Sequence, residues 1–221
     1  MDQDKELILR IDPEKCRVTV EENNSGVISR KNISADALLD CVRNSLRRNM
    51  VSSGLLPENC VAVDVGEQDD RSVCILHPER YADITYHKTC YERFPLPRLV
   101  FKFSLYQKLR VNSVSVCVVE EGRLKPGSKL FHWPFSNVNG FHMCVGNNVL
   151  PKCESLHTLG SLSYHILALP NNNDHYTAQN NALRLEYRDL LEHLKDKAPA
   201  YYYDKILVPG GRTLGDFIQA N

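Results

Sequence analysis

The chain has 221 residues, 43% of them apolar, and 27 Lys and Arg balance 27 Asp and Glu. That is enough apolar material to bury a core in one large domain or two small ones. Zero formal charge, with no block of five like charges, argues against a nucleic-acid protein that depends on a strongly basic face.

The opening MDQDKELILRID carries acids where a secretory signal needs a basic stretch and then an apolar run. No later segment approaches the ~20 apolar residues of a membrane span, so the expectation is a cytoplasmic protein with no membrane partner. Eight cysteines at 16, 41, 60, 74, 90, 117, 144 and 153 are dispersed and form no CxxC pair. In a reducing compartment most are expected to be buried thiols that behave as small hydrophobes.

Along the chain, residues 6–11 and 16–21 are short β-prone runs parted by Asp12, Pro13 and Glu14, and they read as an N-terminal hairpin. Ser34 then offers an N-cap. Ala35, Leu38, Leu39, Val42 and Leu46 follow at helical spacing, with Arg43, Arg47 and Arg48 on or beside the polar side. Four β-rich segments, 60–66, 72–77, 98–105 and 113–119, suggest an antiparallel meander.

From Lys125 to Pro151 turn residues dominate and periodicity fades, which predicts an irregular crossover of the kind that carries sites. Leu156, Leu159, Ser163, Ile166 and Leu167 predict a helix over 154–168, weakened by Gly160. A polar loop at 171–175 precedes a second stripe, Leu183, Tyr187, Leu190, Leu191 and Leu194, which predicts a helix over 181–196. The tail holds Ile206, Leu207 and Val208, then Pro209-Gly210-Gly211, then a last helical turn at TLGDFI. No repeat or low-complexity linker is visible. The expected architecture is a single α+β domain over 1–221, with an N-terminal hairpin extension (1–33), a core (34–196) and a C-terminal extension (197–221).

Cys144 differs from the other cysteines in its company. WPFSNVNGFHMCVGNN places two Asn, a Gly and a His within the seven residues before it. Acyl transfer needs a reachable thiol and hydrogen-bond donors aimed at the oxyanion that forms when a thioester or amide carbonyl is attacked. Asn137 and Asn139 are both candidate donors. A packed cysteine in a turn-rich loop is the alternative.

The spacing resembles that of ubiquitin-conjugating enzymes, which carry a His-Pro-Asn turn, then a Gly and an apolar residue just before the acceptor cysteine, after a helix and a β-meander. PFSN, Gly140, Met143, Cys144 and Val145 reproduce that order, with Asn137 seven residues before the thiol. The resemblance is closer to prokaryotic ubiquitin-conjugating enzyme family D and to protein B of the PRTRC cassette. These have an aromatic-rich approach ending in Ala-Pro-Phe-x-Asn-Val, a short loop, and Gly-x-x-Cys-x-Gly. The chain reads WPFSNV, a short loop, then HMCVGN, with Trp133 where Ala is usual. SGLLPENCVAV at 53–63, FPLPRLVFKFS at 94–104 and LVPGGRTLGDFI at 207–218 are similar to further segments of the family.

The resemblance implies an antiparallel meander flanked by helices and a thioester transferase without a cofactor. Such a protein takes a ubiquitin-like modifier from a ThiF-like activating enzyme and passes it to an acceptor. A JAB-type deconjugating metalloprotease is encoded nearby in such systems, whose settings include plasmid cassettes and antiviral defence.

Phe135 and Ser136 replace the His and Pro of the eukaryotic turn, so Asn139 rivals Asn137 as the oxyanion donor. His142, two residues before the thiol, is either a solvent-facing structural residue or an activator of thiol or acceptor. Asp174 and His175 lie where conjugating enzymes place the gate for the acceptor, and could orient an incoming lysine and take its proton. The bland reading of that loop is a solvated turn. Arg43, Arg47 and Arg48 occupy the helix that conjugating enzymes present to the activating enzyme.

Three rivals remain. His87 with Cys90, His142 with Cys144, and Cys153 with His157 are possible zinc ligand pairs, without a four-ligand pattern or a deaminase signature. A cysteine peptidase would use His157, His165 or His175 as base to Cys144. A conjugating-type fold that only scaffolds a complex is the non-enzymatic alternative.

Overall fold

The computed structural model describes residues 6–15, 17–24, 26–48, 53–66, 70–106 and 109–220. The chain divides into two compact units, Met1–Ser52 and Ser53–Asn221. The expected core began at residue 34; contacts instead group the first helix with the N-terminal strands.

In the first unit β1 (Glu6–Asp12), β2 (Arg17–Asn24) and β3 (Val27–Ser34) form an antiparallel sheet in that order, followed by α1 (Ala35–Arg48). The expected hairpin is present, with Ile8 opposite Glu21 and Asp12 opposite Arg17. The third strand was not foreseen. Asn24 pairs with Val27, leaving a two-residue turn in which Gly26 has φ +89° and donates its N–H to Asn23 Oδ1 at 3.1 Å. The polar centre of VISRKNIS hides its period, because nearly every side chain of β3 is exposed. Ser34 caps α1 as expected, accepting from the Ala37 N–H at 3.1 Å.

In the second unit β4 (Cys60–Val65), β5 (Arg71–His77), β8 (Leu99–Tyr106) and β9 (Arg110–Val119) pair antiparallel in succession. These are the four expected strands, and they make the meander of an α+β fold. Between β5 and β8 the chain makes an unforeseen hairpin, β6 (Arg80–Tyr86) and β7 (Thr89–Leu96), turned through His87 at φ +50° and Lys88. A His-Lys turn carries none of the Asn-Gly chemistry that advertises a tight hairpin.

Beyond β9 the irregular crossover supplies three short strands: β10 (Lys129–Phe131), β11 (Val138–Asn139) and β12 (His142–Met143). β10 pairs with β9 and with β13 (Pro209–Thr213), and β12 pairs with β9.

Strand alternation gives the sheet two different faces. Val73, Ile75, Phe101, Phe103, Val114, Val116 and Val118 join the main core with α2 (Leu159–Leu167) and α3 (Tyr187–Leu194). Cys74, Val100, Cys117 and Val119 join Leu214 and Phe217 of α4 (Leu214–Gln219) on the opposite face.

Three expectations need correction. The second helix begins as a single 3-10 turn at Leu156–Thr158 before α2. The helix expected over 181–196 starts only at Tyr187. Asn181 is buried, and its amide donates to Ala178 O and Leu185 O and accepts from the Leu185 N–H, so its side chain replaces the helical backbone bonds there. The tail is not an appendage: Tyr202, Ile206 and Leu207 belong to the main core, and α4 covers the second face, started by a capping box between Thr213 and Asp216.

Candidate functional site

The seven described cysteines divide by burial. Cys74, Cys117 and Cys153 are buried, Cys60 is intermediate, and Cys41, Cys90 and Cys144 are exposed; Cys16 lies outside the described residues. The expectation of mostly buried thiols is therefore not met. Burial pushes the Cys74 thiol up to about 12 and Cys117 well above its ordinary value, which keeps both protonated and unreactive.

Cys144 follows β12 directly. The β11–β12 hairpin pairs Val138 with Met143 and Asn139 with His142, and turns through Gly140 at φ +62°. Val138 and Met143 are buried in the main core, which fixes the hairpin from below. Just beyond it, the Cys144 N–H donates to Asn137 O at 2.7 Å.

Asn137 sits in the left-handed region at φ +62°, a conformation that Asn tolerates better than most residues. Its own N–H donates to Asp174 O at 2.7 Å. Backbone bonds thus run from the 171–175 loop through Asn137 to Cys144.

The turn before Asn137 is held without the His-Pro pair. Phe135 is buried edge-on to Trp133, Phe94 and Tyr202. The Trp133 indole N–H donates to Ser136 O at 2.9 Å, and Ser136 is buried. Asn171, which the sequence alone does not single out, ties this turn to the rest of the unit. Its backbone bonds Thr85 O and the His87 N–H, and its amide nitrogen reaches Thr85 O and Leu169 O. Its Oδ1 accepts from Ser136 Oγ and Asn137 Nδ2, both at 3.4 Å. Asn173 also reaches β6, accepting from the Tyr86 hydroxyl at 2.8 Å; what sets Asn171 apart is its side-chain bonding to Ser136 and Asn137.

The remaining candidates are scattered around this axis. Asp174 is exposed, with its carboxylate accepting from Asn172 Nδ2 at 2.7 Å and its N–H bonded to Asn172 Oδ1. His175, at φ +59°, lines a cleft of about 360 Å³ with Asn139, His132 and Arg212. His142 and Asn139 lie exposed on the hairpin and line a second, polar cleft. His157 Nδ1–H donates to Leu56 O at 3.3 Å in a separate cleft shared with His77, and His165 is exposed on α2. Arg43 pairs with Asp40 at 3.7 Å on the surface of α1, a contact worth little. Arg47 and Arg48 fall in the last turn of α1, their side chains outside the described residues. Among the described residues no group of three or more His, Cys, Asp or Glu side chains could hold a metal ion, and no helix is long and apolar enough to cross a membrane.

A family model described as prokaryotic E2 family D matches residues 36–165, more than half of the chain. The chain belongs to prokaryotic E2 family D. No curated protein and no solved structure matches it. Family D membership gives a ubiquitin-conjugating-like role and, in general, partnership with a ubiquitin-like modifier and its activating enzyme. The matched residues include Arg43, Asn137, Asn139, His142 and Cys144. They end before Asn171, Asp174 and His175, so the family D match bears on the thiol hairpin and not on the loop that anchors it.

Proposed function

We propose that Cys144 is the acceptor thiol of a conjugating enzyme that takes a ubiquitin-like modifier from a ThiF-like activating enzyme and passes it to an acceptor amine. The Cys144 sulfur attacks the thioester carbonyl on the activating enzyme. A new C–S bond forms as the old one breaks, and the departing cysteine takes up the proton that Cys144 gives to solvent. In the second step an amine attacks the Cys144 thioester, loses a proton, and expels the Cys144 thiolate.

The observation that carries this reading is the exposed thiol directly after a core-anchored hairpin, with its N–H bonded to Asn137. Asn137 is the favoured oxyanion donor because its backbone is held on both sides, by Asp174 O and by the Cys144 N–H, so little reorganisation is needed when charge develops. Asn139, on the hairpin and lining both neighbouring clefts, is the rival. Asp174 and His175 serve the acceptor. His142 stays on the solvent side, where a base does not deliver water to the thioester. The basic residues of α1, Arg43, Arg47 and Arg48, meet the activating enzyme.

The test mixes the protein with its activating enzyme, modifier and ATP and resolves the products on a non-reducing gel. A thiol-sensitive adduct that Cys144→Ala abolishes and Cys153→Ala retains supports the carrier reading. With a demonstrably active activating enzyme present, failure to load, or loading that survives Cys144→Ala, overturns it in favour of a binding scaffold.

A further inference from the structure

The sheet face under α4 is apolar at one end and strongly polar at the other. Lys102 on β8 is 6% exposed although it lies in the centre of the sheet. Register places it opposite Ser115 on β9, and Ser115 in turn opposite His142 on β12; one step along, Ser104 lies opposite Ser113. Directly opposed residues have Cβ atoms about 5 Å apart, so an ammonium, an imidazole and three hydroxyls form a continuous patch. Arg212 of β13 lines the same cleft of about 300 Å³, whose apolar wall is Phe141 and Phe217. Arg212 is steadied there by stacking over the Phe141 ring, 5.0 Å from its centroid.

The charge in this cleft is one-sided. No Asp or Glu is among the residues lining it. Asp216, whose carboxyl is held low first by the Thr213 backbone and hydroxyl and also by Arg212, is committed to the cap of α4. Lys102 donates two protons, to Ile218 O at 2.7 Å and Ala220 O at 2.6 Å. These helix-end carbonyls offset part of its charge. Its third proton has no partner among the described residues, and Arg212 and the cleft hydroxyls keep free donors as well. Lys102 also lines a neighbouring cleft that holds Asp64 and Asp70, so carboxylates lie on its other side, while the donors that face the cleft beneath α4 are left to solvent or a ligand.

We propose that this cleft is a binding site for a phosphate group carried by a small molecule. The donors come from the floor (Lys102, Ser115), from the side (Arg212) and from the hairpin (Asn139, His142). Such a non-planar set fits the four acceptor oxygens of a tetrahedral oxyanion better than the two coplanar oxygens of a carboxylate. The volume lies at the small end of ligand sites. The site uses no property of the Cys144 thiol, so it stands or falls separately from thioester loading.

Inorganic phosphate is the probe, titrated by calorimetry and by thermal shift at constant ionic strength, with acetate as the carboxylate comparator. Phosphate raises Tm in a saturable way, and acetate does so far less. Arg212→Gln, at an exposed position, and Ser104→Ala each keep the basal Tm close to wild type and weaken phosphate binding, Arg212→Gln by about tenfold or more. Lys102→Met removes binding if it folds. Three results each overturn the site: no saturable phosphate effect, an equal effect of acetate, or phosphate binding unchanged in both Arg212→Gln and Ser104→Ala.

Discussion

His77 gives the most quantitative test of the fold. It is 2% exposed, at the end of β5, packed edge-on to Phe101 and tilted against Tyr164. Neither ring nitrogen makes a hydrogen bond of good geometry. Burial pushes its pKa down to about 4, helped by the nearby Arg80 charge and opposed by the Pro78 backbone, whose contribution is smaller. In the unfolded chain an imidazole titrates near 6.5.

Between those two values the unfolded state binds a proton that the folded state refuses, so stability falls as pH falls through this window. The loss amounts to about 2 kcal/mol by pH 5 and about 3 kcal/mol in full. Below about pH 4 both states are protonated and this contribution stops changing. His77→Leu keeps a similar volume and cannot titrate. Urea unfolding followed through Trp133, the single tryptophan, at pH 7.5, 6 and 5 should therefore show a wild type that loses about 2 kcal/mol more than the variant. Comparing the slopes removes whatever His77→Leu does to packing. If both proteins lose stability in parallel over that range, His77 is not buried in neutral form and the packing of β5 against α2 described above is wrong.

Brief alkylation at neutral pH should label Cys41, Cys90 and Cys144 and spare Cys74, Cys117 and Cys153 until the protein unfolds, as read by peptide mapping; native labelling of Cys74 as fast as Cys144 would contradict its place beneath α4. Asn171→Ala removes the acceptor shared by Ser136 and Asn137 and should cost about 1–3 kcal/mol in thermal or urea unfolding. An unchanged stability would remove Asn171 as the anchor of the active turn. Thr213→Ala should cost about 1 kcal/mol through loss of the α4 capping box, whereas Thr213→Ser should retain it. At low pH the Asp216 half of that box also weakens: its carboxyl is held below the usual range by Thr213, so its contribution is present at neutral pH and is lost as pH falls through that lowered value.

Much of this protein was legible locally. β-rich composition marked β4, β5, β8 and β9, helical spacing marked α1 and the body of α3, and the run TLGDFI marked the last helix, α4. Those signals are written within a few residues of one another, where side-chain direction follows backbone period. The resemblance around WPFSNV and HMCVGN singled out Cys144 and agreed with membership of family D.

Tertiary structure decided what depends on pairing between distant segments. β3 and the β6–β7 hairpin were invisible because their turns and exposed faces carry weak composition signals. Asn171 is set apart from Asn172 and Asn173 by its backbone bonds to Thr85 and His87 and its side-chain bonds to Ser136 and Asn137, all of them long-range. Asn181 delays a helix only because it folds back on its own backbone in a buried place. Which cysteines are exposed, and that Lys102, Ser115 and His142 stand in one row across three strands, follow from register. A single-residue slip of that register would move every one of them to the other face.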